Sequence, residues 1–168
     1  MLGYSCTRGN PEDAYARGRG LRAAAIPPSA ESQVINAAIR ASFDVVPGLN
    51  LRLHPRHLPR TAGDSGGTPV SPQLLRLVRD EGLVTGTCEP RRSAPRDTPR
   101  CSGPDAGYVI RTSDVLRIAA DTLEIYLSAE TYGAATGRRP DALRFEKVYE
   151  LVERGGGWRV VREGRVKD

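Results

Sequence analysis

The sequence has no long apolar run. No stretch approaches the roughly 18 consecutive apolar residues that identify a transmembrane helix, so we expect no membrane span. The apolar piece from Leu21 to Ile26 is interrupted by Arg22 and is too short for the apolar core of a secretory signal. As it stands, the chain is expected to be cytoplasmic.

Lysine is almost missing, although the net charge is +5. Only Lys147 and Lys167 are lysines among the 25 basic residues, and the arginines are spread along the chain among acids. This bias favours the codon usage of a GC-rich bacterial genome over selection for a polyanionic partner. The basic charge therefore does not by itself indicate a nucleic-acid-binding protein.

Aromatic residues are missing from residues 85–107, a loop segment that carries four arginines. Bases of single-stranded nucleic acids commonly stack on aromatic side chains, so recognition of that kind is not supported. Weak binding of a polyanion through this loop remains an alternative hypothesis. The arginines concerned are Arg91, Arg92, Arg96 and Arg100, partly offset by Glu89 and Asp97.

Complete catalytic and metal-binding motifs are missing too. The segment Gly63 to Gly67 matches the nucleophile segment of chymotrypsin-like proteases, but the only histidines, His54 and His57, lie just before it, with little chain to build a triad. We interpret the segment as a glycine-rich turn, and it lacks the Gly-Lys-Ser/Thr ending of a phosphate loop. Because Pro55 breaks any helix that would present both histidines to a metal, we interpret them as surface residues. We expect no metal and no cofactor.

Three cysteines are present, and two of them bracket the arginine-rich loop. A disulfide between Cys88 and Cys101 would stabilise the fold by about 3 kcal/mol in the chain-entropy model, and would leave Cys6 unpaired. Such a bridge would indicate an exported protein whose start had been misread. Two unrelated thiols in a cytosolic protein are the alternative.

Two amphipathic helices are predicted. Residues 1–28 show no apolar period and are expected to be a disordered tail, followed by one α+β domain over 29–168 with an irregular loop at 85–107. The first helix, from Ser29 to Phe43, is capped by Ser29 and carries an apolar stripe at helical spacing. The second, from Ser71 to Glu81, has a cap at Ser71 and proline at its first helical position.

Alternating apolar and polar residues predict the strands. A short peripheral strand is expected from Leu49 to His54. The C-terminal third predicts a four-stranded antiparallel meander, with Gly155, Gly156 and Gly157 forming a hairpin turn. The four strands run over residues 108–118, 122–132, 143–153 and 158–166.

Two C-terminal segments, YVIRTSDVLRIAADTLEIYLSAETYG and LRFEKVYELVERGGGWRVVREGRV, resemble the closing strands of the nuclear-transport-factor-2-like superfamily. The resemblance covers residues 108–166 and includes a glycine turn followed by Trp158, Arg159 and Val160. It implies a curved antiparallel sheet wrapped around two helices, cone-like, with an apolar pocket used in that superfamily for small-molecule binding, isomerisation, dehydration or dimerisation. No catalytic position of the superfamily's enzymes can be matched to this chain.

If the sheet is concave, its aromatic side chains are the candidates for lining a ligand pocket, with core packing as the alternative. The candidate pocket residues are Phe145, Tyr149 and Trp158. We expect a non-catalytic module that binds a small apolar ligand or forms a homodimer. An isomerase- or dehydratase-type enzyme is the second hypothesis, with Asp114 or Glu146 as the acid or base to test.

Overall fold

The computed structural model describes residues 17–43, 49–61, 66–88, 107–132 and 144–166. These residues form two helices and eight strands. The helices are α1 (Pro28–Ser42) and α2 (Pro72–Asp80). The strands are β1 (Arg22–Ala23), β2 (Leu51–Leu53), β3 (Gly86–Thr87), β4 (Gly107–Thr112), β5 (Leu116–Ala119), β6 (Thr122–Tyr132), β7 (Arg144–Arg154) and β8 (Gly157–Arg165).

Both helices form where the sequence predicts them. In α2 the Ser71 side chain accepts a hydrogen bond from the backbone N–H of Leu74 at 3.1 Å, which confirms the predicted cap. The cap predicted for α1 is wrong, because α1 begins at Pro28 and its N-cap is Pro27, two residues before Ser29, with no side-chain cap bond. Ser29 therefore lies inside the first turn, where its carbonyl accepts a hydrogen bond from the Ser32 hydroxyl.

The strands form one strongly curled sheet, so the α+β class with a curved sheet is confirmed. β6 lies at its centre. One edge of β6 pairs with β7, which pairs with β8, and its other edge pairs first with β5 and then with β4. Beyond β4 the sheet continues through β2 to β3, while β1 pairs with β5.

Three details of the predicted sheet are wrong. The sheet is mixed, because β2 runs parallel to both β3 and β4. β2 is also not peripheral, because it lies between those two strands and buries Leu51 and Leu53. The first predicted meander strand, residues 108–118, is divided into β4 and β5 by Ser113, Asp114 and Val115.

The connection between β7 and β8 is a hairpin turn at the glycines, as the sequence predicts. Gly155 and Gly156 have φ values of 60° and 78°, and Arg154 pairs with Gly157 across the turn. Two central residues with positive φ are characteristic of a type I′ turn, whose twist matches that of the two flanking strands. The turn fixes the position of Trp158 at the beginning of β8.

The hydrophobic core lies between α1 and the inner face of the sheet. The apolar stripe of α1 and the alternating inward residues of β6 are almost completely buried. Burying each large apolar side chain contributes about 1.5–3 kcal/mol, so this contact fixes α1 on the sheet. The residues concerned are Val34, Ile35, Ala38 and Ile39 of α1 and Leu123, Ile125, Leu127 and Ala129 of β6.

Part of the predicted tail is folded. The side chain of Arg17 donates hydrogen bonds to both carboxylate oxygens of Glu146 and to the carbonyl of Pro59. The backbone N–H of Gly18 donates to the Tyr126 hydroxyl, and β1 pairs with β5. The expected tail therefore does not extend over residues 17–28, and residues 1–16 lie outside the described residues.

The chain between β2 and α2 is irregular and is held by arginines. Arg56 donates to the carbonyls of Gly66 and Gly67, and Arg111 donates to the carbonyls of His57 and Gly66. These guanidinium groups bond backbone carbonyls of a segment that lies outside the named strands. Among the described helices, none is long and apolar enough to cross a bilayer.

Candidate functional site

A cavity of about 270 Å³ lies where α1 meets the β7–β8 hairpin. Four of its lining residues share one side of α1, one follows α2, and three belong to the hairpin turn and the start of β8. We call it the hairpin cavity. It is lined by Gln33, Asn36, Ala37, Arg40, Glu81, Gly156, Gly157 and Trp158.

Asn36 is the most unusual residue of this cavity. Only 1% of its surface is exposed, yet neither its side-chain oxygen nor its side-chain nitrogen has a hydrogen-bond partner among the described residues. Leaving a buried polar group unsatisfied costs about 1–3 kcal/mol. Within the described residues, the buried amide of Asn36 is therefore a cost to the folded protein.

Trp158 forms the apolar wall of the hairpin cavity. It lies opposite Glu153 in the β7–β8 ladder and packs against the buried core while remaining half-buried. Its neighbours Gly156 and Gly157 carry no side chains, and a Cβ added at either would meet no atom within 4 Å. This side of the cavity is thus a flat ring beside open space.

An ion pair stands at the rim of the hairpin cavity. Arg40, in the last turn of α1, donates to the Glu81 carboxylate at 3.4 Å. Their side chains are 56% and 37% exposed, so the pair is weak. The two charges cancel at the rim, and the cavity has no net charge on its described lining.

The three candidate pocket residues are not brought together. Only Trp158 lines the hairpin cavity. Tyr149 is completely buried, its hydroxyl is 2.6 Å from that of Ser42, and burial raises the pKa of its phenol. Phe145 packs against Phe43 with ring centroids 5.7 Å apart, and Lys147 lies over its ring.

A second group of charged and titratable side chains surrounds His57. The break between β4 and β5 places Asp114 so that its carboxylate is 3.9 Å from Nε2 of His57 and 3.8 Å from Nε of Arg60. His57 is 5% exposed, and its Nδ1 has no hydrogen-bond partner among the described residues. Burial lowers the pKa of His57, and the Asp114 carboxylate opposes that shift.

The first turn of α1 adds an acid to this group. Burial raises the pKa of Glu31, and the charge of Asp114 raises it further. Of the two acids nominated from the sequence, Asp114 therefore lies beside a histidine, whereas Glu146 is bound by Arg17. Of these two acids, Asp114 is the one placed for acid–base chemistry with His57.

The interpretation of the two histidines as surface residues is wrong. Both are 5% exposed, because the irregular chain around them folds back onto β4. The backbone N–H of Arg56 donates to Nδ1 of His54 at 3.0 Å. Within the described ranges, no three His, Cys, Asp or Glu side chains are placed to hold a metal ion.

The glycine-rich segment is described only at its end. Gly67 has φ of +67°, and a Cβ added to it would be 1.9 Å from the carbonyl oxygen of His57. Backbone packing therefore requires glycine at this position. Ser65 lies outside the described residues.

The cysteine pair and the arginine loop are mostly outside the described part of the chain. Cys88 is 2% exposed and interacts with another part of the chain. Cys101 and the four loop arginines are not described, so the bridge and the polyanion site stay predictions.

None of the family models, curated proteins or solved structures with which the chain was compared matches it. The geometry of the hairpin cavity and of the His57 group is what indicates function.

One lining residue, Asn36, is hard to select from the sequence. Asn36 was missed because it lies beside the apolar stripe of α1 and reads as part of its polar side. A signal does exist: Gln33, Asn36, Ala37 and Arg40 have the spacing i, i+3, i+4, i+7, which places them on a common helix face.

Proposed function

We propose that the chain is a small-molecule-binding module and that the hairpin cavity is its ligand site. The observation that carries the proposal is the cavity itself, which has a half-buried tryptophan as one wall and whose lining includes Asn36, a buried amide with no hydrogen-bond partner within the described residues. Ligand sites are concave and largely apolar, with a few polar groups that fix orientation. Trp158 supplies the apolar wall, and Gln33 and Arg40 supply polar side chains in the lining.

The resemblance to the nuclear-transport-factor-2-like superfamily is part of this proposal. Two helices against a strongly curled sheet are compatible with its cone-like architecture. The parallel pairing of β2 with β4 departs from the antiparallel sheet that the resemblance implies. A shared fold would leave the ligand undefined in any case, because function depends on the site.

Replacing Asn36 with leucine separates binding from stability. Asn36→Leu keeps a side chain of similar size and removes the two unsatisfied polar atoms, so the free energy of unfolding should rise by about 1 kcal/mol. A ligand that binds the native state raises the melting midpoint. We expect a metabolite panel to contain compounds that raise the midpoint of the unmodified chain and not that of Asn36→Leu.

The matched control is Gln73→Leu, the same type of change at an exposed position of α2. It should alter stability little and leave every ligand-induced shift in place. If Asn36→Leu destabilises the fold, the amide is bonded in the folded chain. If the ligand-induced shift persists in Asn36→Leu, its amide takes no part in binding, and if no compound shifts the midpoint of the unmodified chain, the proposed site is wrong.

A second candidate function is acid–base catalysis of the isomerase or dehydratase type at His57 and Asp114. It is favoured by a buried histidine whose pKa is lowered beside a carboxylate that is 32% exposed, because a general base must be neutral near pH 7. The test is exchange of α-hydrogens of carbonyl compounds in D₂O, followed by NMR. His57→Gln and Asp114→Asn should both abolish the exchange. If the unmodified chain gives exchange no faster than buffer alone, this candidate function is wrong.

A further inference from the structure

Within the described ranges, β8 is the one long open edge of the sheet. It pairs with β7 on one side, and no described strand pairs with its other side. Two further edges belong to β1 and β3, which have two residues each, and a very short strand is one way in which proteins protect a sheet edge. β8 has nine residues and extends over about 30 Å. Its free side is therefore a template on which another strand can pair.

Solvent reaches β8 along its length. Five of its nine residues are exposed, and they occur from its third residue to its last. Addition of an extended segment to such an edge is a common mode of peptide recognition, in which main-chain hydrogen bonds give affinity and side chains give specificity. The side chains of β8 therefore indicate which segment the edge accepts.

These side chains make the edge positively charged. The arginines of β8 are Arg159, Arg162 and Arg165. Its single acid, Glu163, is bonded to Lys147 at 2.7 Å. Among the residues that the structure describes, Arg159 and Arg165 have no ion pair. The edge therefore has positive charge that the described chain does not neutralise.

The arginines lie on both faces of the edge. Residues that are opposite each other in a ladder share a face of the sheet. Arg162 is opposite Glu150 on the outer face, and Arg165 is opposite Lys147 on the inner face. The Arg162 side chain is 75% exposed and 3.4 Å from the Glu150 carboxylate, a contact that contributes little. A strand added beside β8 therefore meets arginine on either face.

A β-bulge adds an apolar contact to the edge. Leu151 pairs with Val160 and Glu150 pairs with Arg162, so Val161 is the extra residue of β8. Bulges at sheet edges change the direction of a side chain, and Val161 is 50% exposed. A partner that carries apolar side chains between its acids can cover this valine.

From these observations we infer that β8 is a docking edge for an acidic, extended segment of another protein, which adds to the sheet as a further strand. The inference does not depend on the hairpin cavity. A second copy of the chain fits less well, because an antiparallel pair of β8 strands centred on Arg162 places Arg159 opposite Arg165. Like charges directly opposite each other destabilise a strand pair. The arginines thus oppose self-association and favour an acidic partner.

Peptide binding to the full chain tests the inference. The probe is a short fluorescent peptide of alternating glutamate and valine. One control peptide has lysine in place of glutamate, and a second has the same charge but alternate backbone nitrogens methylated, so that it cannot form a ladder. We expect fluorescence anisotropy at low salt to show the acidic peptide binding about tenfold or more tightly than either control. The largest amide NMR shifts should lie in β8 and not at Gln33 and Ala37 of the hairpin cavity.

Charge reversal shows whether the arginines of the edge are responsible. Arg159→Glu combined with Arg162→Glu should weaken binding of the acidic peptide about tenfold and strengthen binding of the lysine peptide. The matched control is Arg76→Glu combined with Arg79→Glu, which changes the net charge equally at exposed positions of α2. It should weaken binding less than about twofold. Melting midpoints check that both double variants fold, and Arg159→Gln with Arg162→Gln replaces the edge variant if that one does not.

Several results would overturn the inference. If no peptide binds, the arginines only protect the edge. If the methylated peptide binds as tightly as its parent, charge alone attracts the peptide and no strand is added. If the α2 variant weakens binding as much as the edge variant, the attraction is not specific to β8. If sedimentation shows that the unmodified chain self-associates and the edge variant does not, the occupant of the edge is a second copy of the chain.

Discussion

The core and the irregular segment between β2 and α2 are stabilised by different interactions. In the core, α1 buries its apolar stripe on β6, and backbone groups bond along the strand ladders. In the described residues 54–61 and 66–70 there is one isolated bridge, between Arg56 and Pro69; a few backbone N–H groups bond to β4 or within the segment, and arginine side chains bond further carbonyls. Arginine can therefore take the place of a strand partner for a segment that forms no regular structure.

The largest expected effect comes from the closest backbone contact of the irregular segment. Gly67→Ala forces a side chain into positive φ and against the His57 carbonyl, so we expect the free energy of unfolding to fall by at least about 4 kcal/mol. Gly82→Ala is the matched control, because Gly82 also has positive φ but faces open space. It should cost about 1 kcal/mol, and urea unfolding of both variants measures the difference.

Equal losses in the two variants would mean that the chain around Gly67 moves apart easily. The irregular segment would then be less tightly held than its contacts indicate.

Replacing Arg17 tests how the core and the irregular segment are joined, because its side chain bonds Glu146 of β7 and the carbonyl of Pro59. Arg17→Met should cost about 3 kcal/mol, since it leaves the largely buried Glu146 carboxylate without its partner. Arg162→Met is the control: its side chain is 75% exposed and 3.4 Å from Glu150, and its loss should cost less than about 0.5 kcal/mol. Similar urea midpoints for the two variants would show that Arg17 does not join the regions.

The irregular segment should also be the more sensitive to acid. Burial lowers the pKa of His57 below 6.5, so the unfolded chain takes up a proton at a higher pH than the native chain. Stability should therefore fall as the pH falls below about 6.5. His57→Gln should flatten this part of the curve between about pH 7 and 5, measured by urea unfolding, and an unchanged slope would contradict the assignment.

The smallest expected effect lies in the regular sheet. Glu124 of β6 lies opposite Glu150 of β7. Burial raises the pKa of Glu124, a hydrogen bond from Tyr126 lowers it, and the charge of Glu150 raises it. Since the native pKa is above 4.5, the ionised carboxylate destabilises the fold at neutral pH.

Glu124→Gln should therefore raise the melting midpoint slightly at pH 7, and the gain should vanish below about pH 4.5. The exposed Glu153, opposite Trp158, provides the control Glu153→Gln, which should show no such pH-dependent gain. A gain at pH 7 that persists at pH 4 would have another cause.

Local signals in the sequence predict much of the core. Ser71 with Pro72 marks the start of α2, the apolar stripe marks α1, and consecutive glycines mark the β7–β8 turn. Each is decided by residues close together in the chain. The parallel pairing of β2 and the folding of residues 17–28 depend on distant partners, such as Glu146 for Arg17, which no local pattern indicates.

The candidate site is predictable to a smaller degree. Trp158 is identified because an aromatic residue after a glycine turn stands out, but Tyr149 and Phe145 share the alternation of core residues and pack as core. Asn36 becomes significant only when its burial and lack of partners are visible. Periodicity locates side chains on a face and does not show whether their polar atoms are bonded.

The parallel pairing of β2 with β4 has a consequence for the order of folding. Leu51 pairs with Tyr108, so this contact closes a long loop, whereas the β7–β8 hairpin closes across two glycines. Loop-closure entropy makes distant pairings slow and local ones fast. We expect the transition state to contain the C-terminal hairpin and β6, with the arginine-held segment added afterwards, so that mutations in that segment mainly speed unfolding.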